Sequence, residues 1–266
     1  MPNAAGLYYE LHGTGDAPPL ILSSGLGGSA SYWAPNLAAF AEHYRVILYD
    51  HRGTGRSDRA LPEAVSVDDF ADDMLGLMDA LGIGRAHIVG HAAGGVAGLA
   101  LALKAPERLD RLVVVNGWAK ADPHFLRCFE ARLNLLRHSG VEAFLRAQPI
   151  FLYPANWISA HTAELDAELP HQLATFPGVA AMAKRIAALA AFDATGRLAG
   201  LGDRVLVLTA ADDMLVPSDA GERLADELGW GWVEQLAWGG HACTVTRPDA
   251  FNAPVLAWLA GTYAKE

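Results

Sequence analysis

His87-Ile88-Val89-Gly90-His91-Ala92-Ala93-Gly94-Gly95 is the stretch on which the reading of this chain turns. A β-branched run ends at Val89, and a helical pattern from Gly95 to Lys104 follows almost at once. The five residues from Gly90 spell G-x-Nu-x-G, a sharp strand-to-helix turn that lifts its middle side chain above the end of a sheet. Small residues are needed there because the two backbones nearly touch. The middle position, where a nucleophile would stand, is Ala92, and a methyl group cannot attack a carbonyl. Read alone, the stretch also fits an ordinary glycine-rich strand-to-helix connection. His91 beside it reads as a packing residue.

On both sides of this stretch, short aliphatic runs alternate with longer helical patterns. Strands are expected at Leu20–Ser23, Arg45–Tyr49, His87–Val89, Leu112–Val115, Val205–Thr209 and Val233–Leu236, with a first hairpin using Leu7–Leu11. Helices are expected near Tyr32–Phe40, Val67–Leu81, Gly95–Lys104, Ser218–Leu228 and Asp249–Leu259. In the second of these, Val67, Phe70, Met74, Leu77, Met78 and Leu81 form one apolar face. This alternation predicts an α/β fold, a mostly parallel central sheet flanked by helices. It breaks between Ala119 and Ala191, a stretch helical throughout. With no Gly/Ser-rich linker around it, residues 119–191 read as a helical cap within one domain spanning 1–266.

Three further signals support the turn. Ser23-Ser24-Gly25-Leu26-Gly27-Gly28-Ser29 follows a strand, and the backbone N–H groups of Leu26 and Ala93 are candidates to hold a developing oxyanion. Asp50-His51-Arg52-Gly53-Thr54-Gly55-Arg56-Ser57 follows another strand; Asp50 and Arg52 are expected to brace it without chemistry. Asp213 and His241 each follow a late strand, at sheet ends where ligands bind in open α/β sheets. The order position 92, Asp213, His241 is the nucleophile–acid–histidine order of the α/β-hydrolase fold. Asp212 is the fallback acid. Cys243, two residues after His241, is the one nearby thiol and is not on the turn.

With these four motifs the chain resembles the α/β-hydrolase superfamily over its whole length. More narrowly it is similar to hydrolases of bacterial pyrimidine utilisation, described as aminoacrylate or carbamate hydrolases. The residues carrying that likeness are Ser24-Gly25-Leu26-Gly27-Gly28-Ser29, Gly90-His91-Ala92, Asn116-Gly117-Trp118, Gln148-Pro149-Ile150-Phe151-Leu152-Tyr153-Pro154 and Gly239-Gly240-His241-Ala242-Cys243. The alanine at position 92 is part of it. The resemblance implies hydrolysis of a small, spontaneously labile nitrogen compound, with His241 and Asp213 acting directly on water. Ser24, Trp33, Asn116, Trp118, Tyr153 and Trp157 are candidate pocket residues. No cofactor or metal is called for, and the partner expected is a small-molecule substrate; a homodimer is compatible with this reading.

Three rivals remain at this level. One is a serine esterase carrying a Ser-to-Ala substitution at position 92. Another is a cofactor-free oxygenase using the His–Asp pair, and the last a binding protein with an inactive site. Composition narrows the field further. A formal charge of −10 repels phosphate backbones and anionic membranes. Hydrophobic residues at 52% and charged residues at 19% suit a filled core rather than a disordered chain. No secretory signal pattern is visible, no run reaches the roughly 18 apolar residues of a membrane span, and Cys128 and Cys243 read as free thiols. A cytoplasmic location is the expectation.

Overall fold

A computed structural model of the chain describes residues 2–229 and 231–264. Eight strands form one sheet: β1 (Asn3–Ala4), β2 (Leu7–His12), β3 (Pro19–Ser23), β4 (Arg45–Tyr49), β5 (Ala86–His91), β6 (Leu109–Val115), β7 (Val205–Ala210) and β8 (Trp232–Leu236). Their order is β1-β2-β4-β3-β5-β6-β7-β8, with β1–β2 and β2–β4 antiparallel and every other pair parallel. The aliphatic runs are strands because both sheet faces are covered. In β3, Ile21 joins one core while Leu20 and Leu22 join the other; β6 divides Leu112 and Val114 from Val113 and Val115 in the same way.

One face is covered by α2 (Val67–Ala80), α3 (Ala93–Lys104) and α9 (Asp219–Leu228), numbering helices in chain order. The other is covered by α1 (Ala34–Ala41) and α11 (Pro248–Leu259), with the short α10 (Cys243–Thr246) before it. Local chemistry starts α2: Ser66 accepts from the Asp69 N–H, and the Asp69 carboxylate accepts from the Ser66 N–H, closing a capping box. Strand β5 runs two residues further than the sequence pattern suggests, through Gly90 and His91, because both pair with β6. The turn into α3 is correspondingly abrupt.

Between β6 and β7 the chain inserts five helices: α4 (Pro123–His138), α5 (Val141–Leu152), α6 (Ala155–Ala160), α7 (Thr162–Thr175) and α8 (Val179–Ala191). Its two ends are tied together. The Ala194 N–H donates to the Ala119 carbonyl at 2.8 Å, and Lys120 pairs with Asp193 at 2.7 Å. Among the described residues no single helix is long and apolar enough to cross a membrane.

Candidate active site

Strands β3 and β5 are neighbours, yet β3 leads to α1 on one face and β5 to α3 on the other. Connections that diverge to opposite faces leave a crevice at the carboxyl ends of the strands. The Gly90–Gly94 turn forms one edge of it. Ala92 sits at φ +46, ψ −105, a conformation L-residues avoid, and is held there by its N–H to the Val115 carbonyl at 2.8 Å. Glycine is obligatory on either side. A Cβ on Gly90 would lie 2.3 Å from the Gly94 carbonyl carbon, and one on Gly94 only 2.2 Å from the Ser23 oxygen.

Asp213 and His241 meet over this crevice. His241 Nδ1 is 2.8 Å from Asp213 Oδ2, and Asp213 Oδ1 accepts from the Leu215 and Val216 N–H groups at 2.7 and 2.9 Å. A carboxylate only accepts, so Nδ1 is the donor and the neutral ring carries its lone pair at Nε2, on a side chain that lines the cavity. Asp212 is turned to the backbone instead. Its Oδ1 accepts from the N–H groups of Gly239 and Gly240, each at 2.9 Å, and so shapes the loop before His241.

The backbone of His241 is pinned as firmly as its ring. Its carbonyl accepts from Asn116 Nδ2 at 2.7 Å and from His91 Nε2 at 2.8 Å. Asn116 Oδ1 in turn accepts from the Ala210 N–H at 3.1 Å, which joins β6, β7 and the histidine loop. Burial keeps the His91 ring neutral, its pKa well below the usual histidine range. Tyr32, unmarked in the sequence, stacks on His91 with ring centroids 4.8 Å apart and bonds to Thr244 Oγ1 at 2.6 Å.

Leu26 and Ala93 both line the cavity, and neither N–H has an acceptor among the described residues. The Leu26 carbonyl is taken by Arg185 Nε at 3.2 Å. Arg185, wholly buried on α8, also donates to the Arg52 carbonyl at 3.1 Å and to His51 Nδ1 at 2.9 Å. His51 then donates from Nε2 to Ser23 Oγ at 3.2 Å. The inserted helices therefore hold the loop after β3 through one guanidinium. Asp50 and Arg52 brace their own turn with separate partners: Asp50 takes the Ala30 N–H and Arg56, while Arg52 pairs with Asp73 at 2.7 Å.

The cavity has a volume of about 320 Å³, and its walls include Phe125, Phe129, Phe144, Phe176 and Met182 from the insertion. Ser24, Trp118 and Tyr153 line it, and Ser24 Oγ and Trp118 Nε1 are buried without a partner among the described residues. Three expected pocket residues lie elsewhere. Trp33 belongs to the core on the α1 face, its ring centroid 6.2 Å from that of Phe251, because it lies on the core side of the 3-10 turn Ala30–Trp33, whose Ser31 and Tyr32 line the cavity. Asn116 is drawn to the histidine loop by the bonds just described. Trp157 stacks between Tyr153 and His161, at 4.4 and 4.0 Å, and so buttresses a wall residue. Arg132 and Gln148 line the cavity although neither is among the expected pocket residues. Arg132 had a signal, as the single charge in the apolar stripe Phe125, Cys128, Phe129, Leu136 of α4.

Cys243 is wholly buried, and burial pushes its thiol up to about 12, which leaves it inert at neutral pH. Among the described residues no group of three or more His, Cys, Asp or Glu side chains is placed to hold a metal ion.

The family model for the alpha/beta hydrolase fold matches residues 18–241. A protein of Caulobacter segnis with the name "Putative carbamate hydrolase RutD" is 54% identical over 259 residues, 96% of this chain and 97% of its own. Its namesake in Agrobacterium fabrum is 46% identical over 255 residues, 95% of this chain and 98% of its own. Among solved structures, a hydrolase from Pseudomonas aeruginosa PA01 superposes with a TM-score of 0.84 at 29% identity, over 95% of this chain and 94% of that one. The enol-lactonase of Burkholderia xenovorans LB400 gives 0.82 at 28% identity, over 97% and 98%. Together with the elbow and the order of acid and histidine, these matches show that the chain belongs to the α/β-hydrolase fold family and, within it, to the group of the RutD proteins.

Proposed function

We propose that this protein hydrolyses a small, spontaneously labile nitrogen compound of pyrimidine (uracil) breakdown, carbamate or aminoacrylate, by activating water without a covalent intermediate. The observation that carries the reading is a hydrogen-bonded His241–Asp213 pair opening onto a cavity whose elbow bears only the methyl of Ala92. The likeness to proteins named as carbamate hydrolases supports the substrate class. The helical insertion serves as the cap that closes the cavity.

His241 Nε2 takes a proton from water as the oxygen attacks the substrate carbon, and Asp213 stabilises the imidazolium. The free N–H groups of Leu26 and Ala93 receive the negative charge that develops on the carbamate oxygen or, for aminoacrylate, on the imine nitrogen. The proton then passes to nitrogen, the C–N bond breaks and ammonia leaves. Carbamate and water give bicarbonate and ammonia; aminoacrylate, attacked as its imine tautomer at the carbon bearing nitrogen, gives malonic semialdehyde and ammonia. A hydrolase site lacking triad chemistry retains roughly 10³–10⁴-fold over water, about 4–5.5 kcal/mol. That suffices for compounds that already hydrolyse unaided.

NMR time courses of each compound with and without protein test this. His241→Ala is expected to lose about 10²–10⁴-fold of the increment over the spontaneous rate, the usual worth of a general acid–base. A His241→Ala protein as fast as the parent would refute the dyad.

A further inference from the structure

The inserted helices bury two arginines, and the fold uses them differently. Arg185 has three acceptors, each part of the frame beneath the loop at Leu26. Arg132 on α4 is 3% exposed and lines the cavity. Among the described residues it makes one hydrogen bond, Nη2 to Gln148 Oε1 at 3.2 Å, and its Nε is buried with no partner. The one carboxylate among the cavity-lining residues, Glu168, is exposed and forms no ion pair with it.

Phe129, Phe144 and Phe151 stand 4.9, 5.2 and 5.5 Å from the guanidinium carbon. Aromatic faces stabilise a cation, yet they leave its in-plane N–H donors without full acceptors. Burial lowers the Arg132 pKa to about 10, so the group stays charged at neutral pH. A buried guanidinium with spare donors and no counter-ion is costly, and the planar fork suits a carboxylate.

We infer that Arg132, with Gln148 beside it, is an anion subsite of the cavity, which holds a carboxylate that the substrate carries apart from its reacting centre. This rests on the proposed hydrolysis only for what the bound acid then undergoes. Arg132 comes from the insertion, whereas Ala92 and His241 come from the ends of the sheet. Both groups line the same cavity, so a carboxylate held at Arg132 is distinct from the carbon presented to His241. Carbamate has one carboxyl group, and that group is its reacting centre. Aminoacrylate has the second group that the subsite requires.

The probes are acrylate and its neutral counterpart acrylamide, titrated into the whole protein at pH 7.5 and followed by ligand-observed NMR. The parent is expected to bind acrylate at least ten times more tightly than acrylamide. Arg132→Met should lower acrylate affinity at least tenfold and leave acrylamide unchanged. Gln148→Glu should do the same while keeping the guanidinium, because it supplies Arg132 with an internal carboxylate. Equal binding of the two probes by the parent, or unchanged acrylate affinity in Gln148→Glu, would overturn the inference and leave Arg132 a structural cation only. Should Arg132→Met fail to fold, those two measurements still decide. His241→Ala is expected to bind acrylate as the parent does. Selective acrylate binding by a protein that hydrolyses neither compound would sink the hydrolysis and spare the subsite; turnover without acrylate selectivity would do the reverse.

Discussion

Asp213→Asn replaces one atom of the site, and the surrounding backbone dictates the consequence. Oδ1 of Asp213 accepts from two N–H groups, those of Leu215 and Val216, at 2.7 and 2.9 Å, and Oδ2 faces His241 Nδ1 at 2.8 Å. An amide offers one acceptor oxygen and one NH2 group. Turning the NH2 towards Leu215 and Val216 would set donors against donors and forfeit two buried hydrogen bonds, about 2 kcal/mol at roughly 1 each. The oxygen therefore stays with the backbone, and the NH2 faces Nδ1. The ring must then accept at Nδ1 and carry its proton at Nε2, so no lone pair is left for water. At 1.36 kcal/mol per decade, 2 kcal/mol is about a 30-fold preference for that inert tautomer. Loss of the carboxylate that stabilises the imidazolium adds to it.

The expected fall is about 10²–10⁴-fold in the increment over the spontaneous rate, as large as for His241→Ala. It is read as ammonia release at pH 7.5. Because the backbone bonds at Oδ1 survive, stability should change by no more than about 1 kcal/mol, roughly 2–4 °C in Tm for a chain of this size. A folded Asp213→Asn protein that keeps more than a tenth of the increment would refute the tautomer reasoning.

Ala92→Ser should fold, since its side chain borders the cavity, and should gain weak esterase activity on nitrophenyl acetate, on which the parent shows no burst; an inert, folded variant would place position 92 out of reach of His241. A thiol reagent at pH 8 should leave the native protein unlabelled and label Cys128 and Cys243 after unfolding, because burial raises both thiols; rapid stoichiometric labelling of the native protein would contradict this. Burial holds both His51 and His91 neutral, with folded pKa values well below the usual range, and Arg185 adds to this at His51. Below about pH 6.5 the unfolded chain takes up protons that the folded one excludes, so this contribution is complete near pH 7.5 and is lost as pH falls. Denaturant titrations should lose about 1.4 kcal/mol per histidine, near 3 kcal/mol for the pair, between pH 7.5 and 5.5; equal stability at both values would show that a ring protonates in the fold.

The features legible in the amino-acid order are local ones. The Gly90–Gly94 spacing announces a turn because only glycine tolerates the 2.2–2.3 Å approaches found there. Periods of two and of three to four residues mark strands and helix faces because they repeat within a single element. The order of position 92, Asp213 and His241 is legible since each closes a strand of one parallel sheet. Which way a side chain looks is another matter. Trp33 and Asn116 stand beside legible motifs and still turn away from the cavity, one into the α1 core and the other to the His241 carbonyl. Arg132 and Arg185 are both buried charges on inserted helices, yet one frames the loop at Leu26 and the other is left with spare donors at the cavity. Tertiary structure alone decides this. A side chain's nearest neighbours in sequence set its backbone, whereas its hydrogen-bond partners come from segments up to 216 residues away.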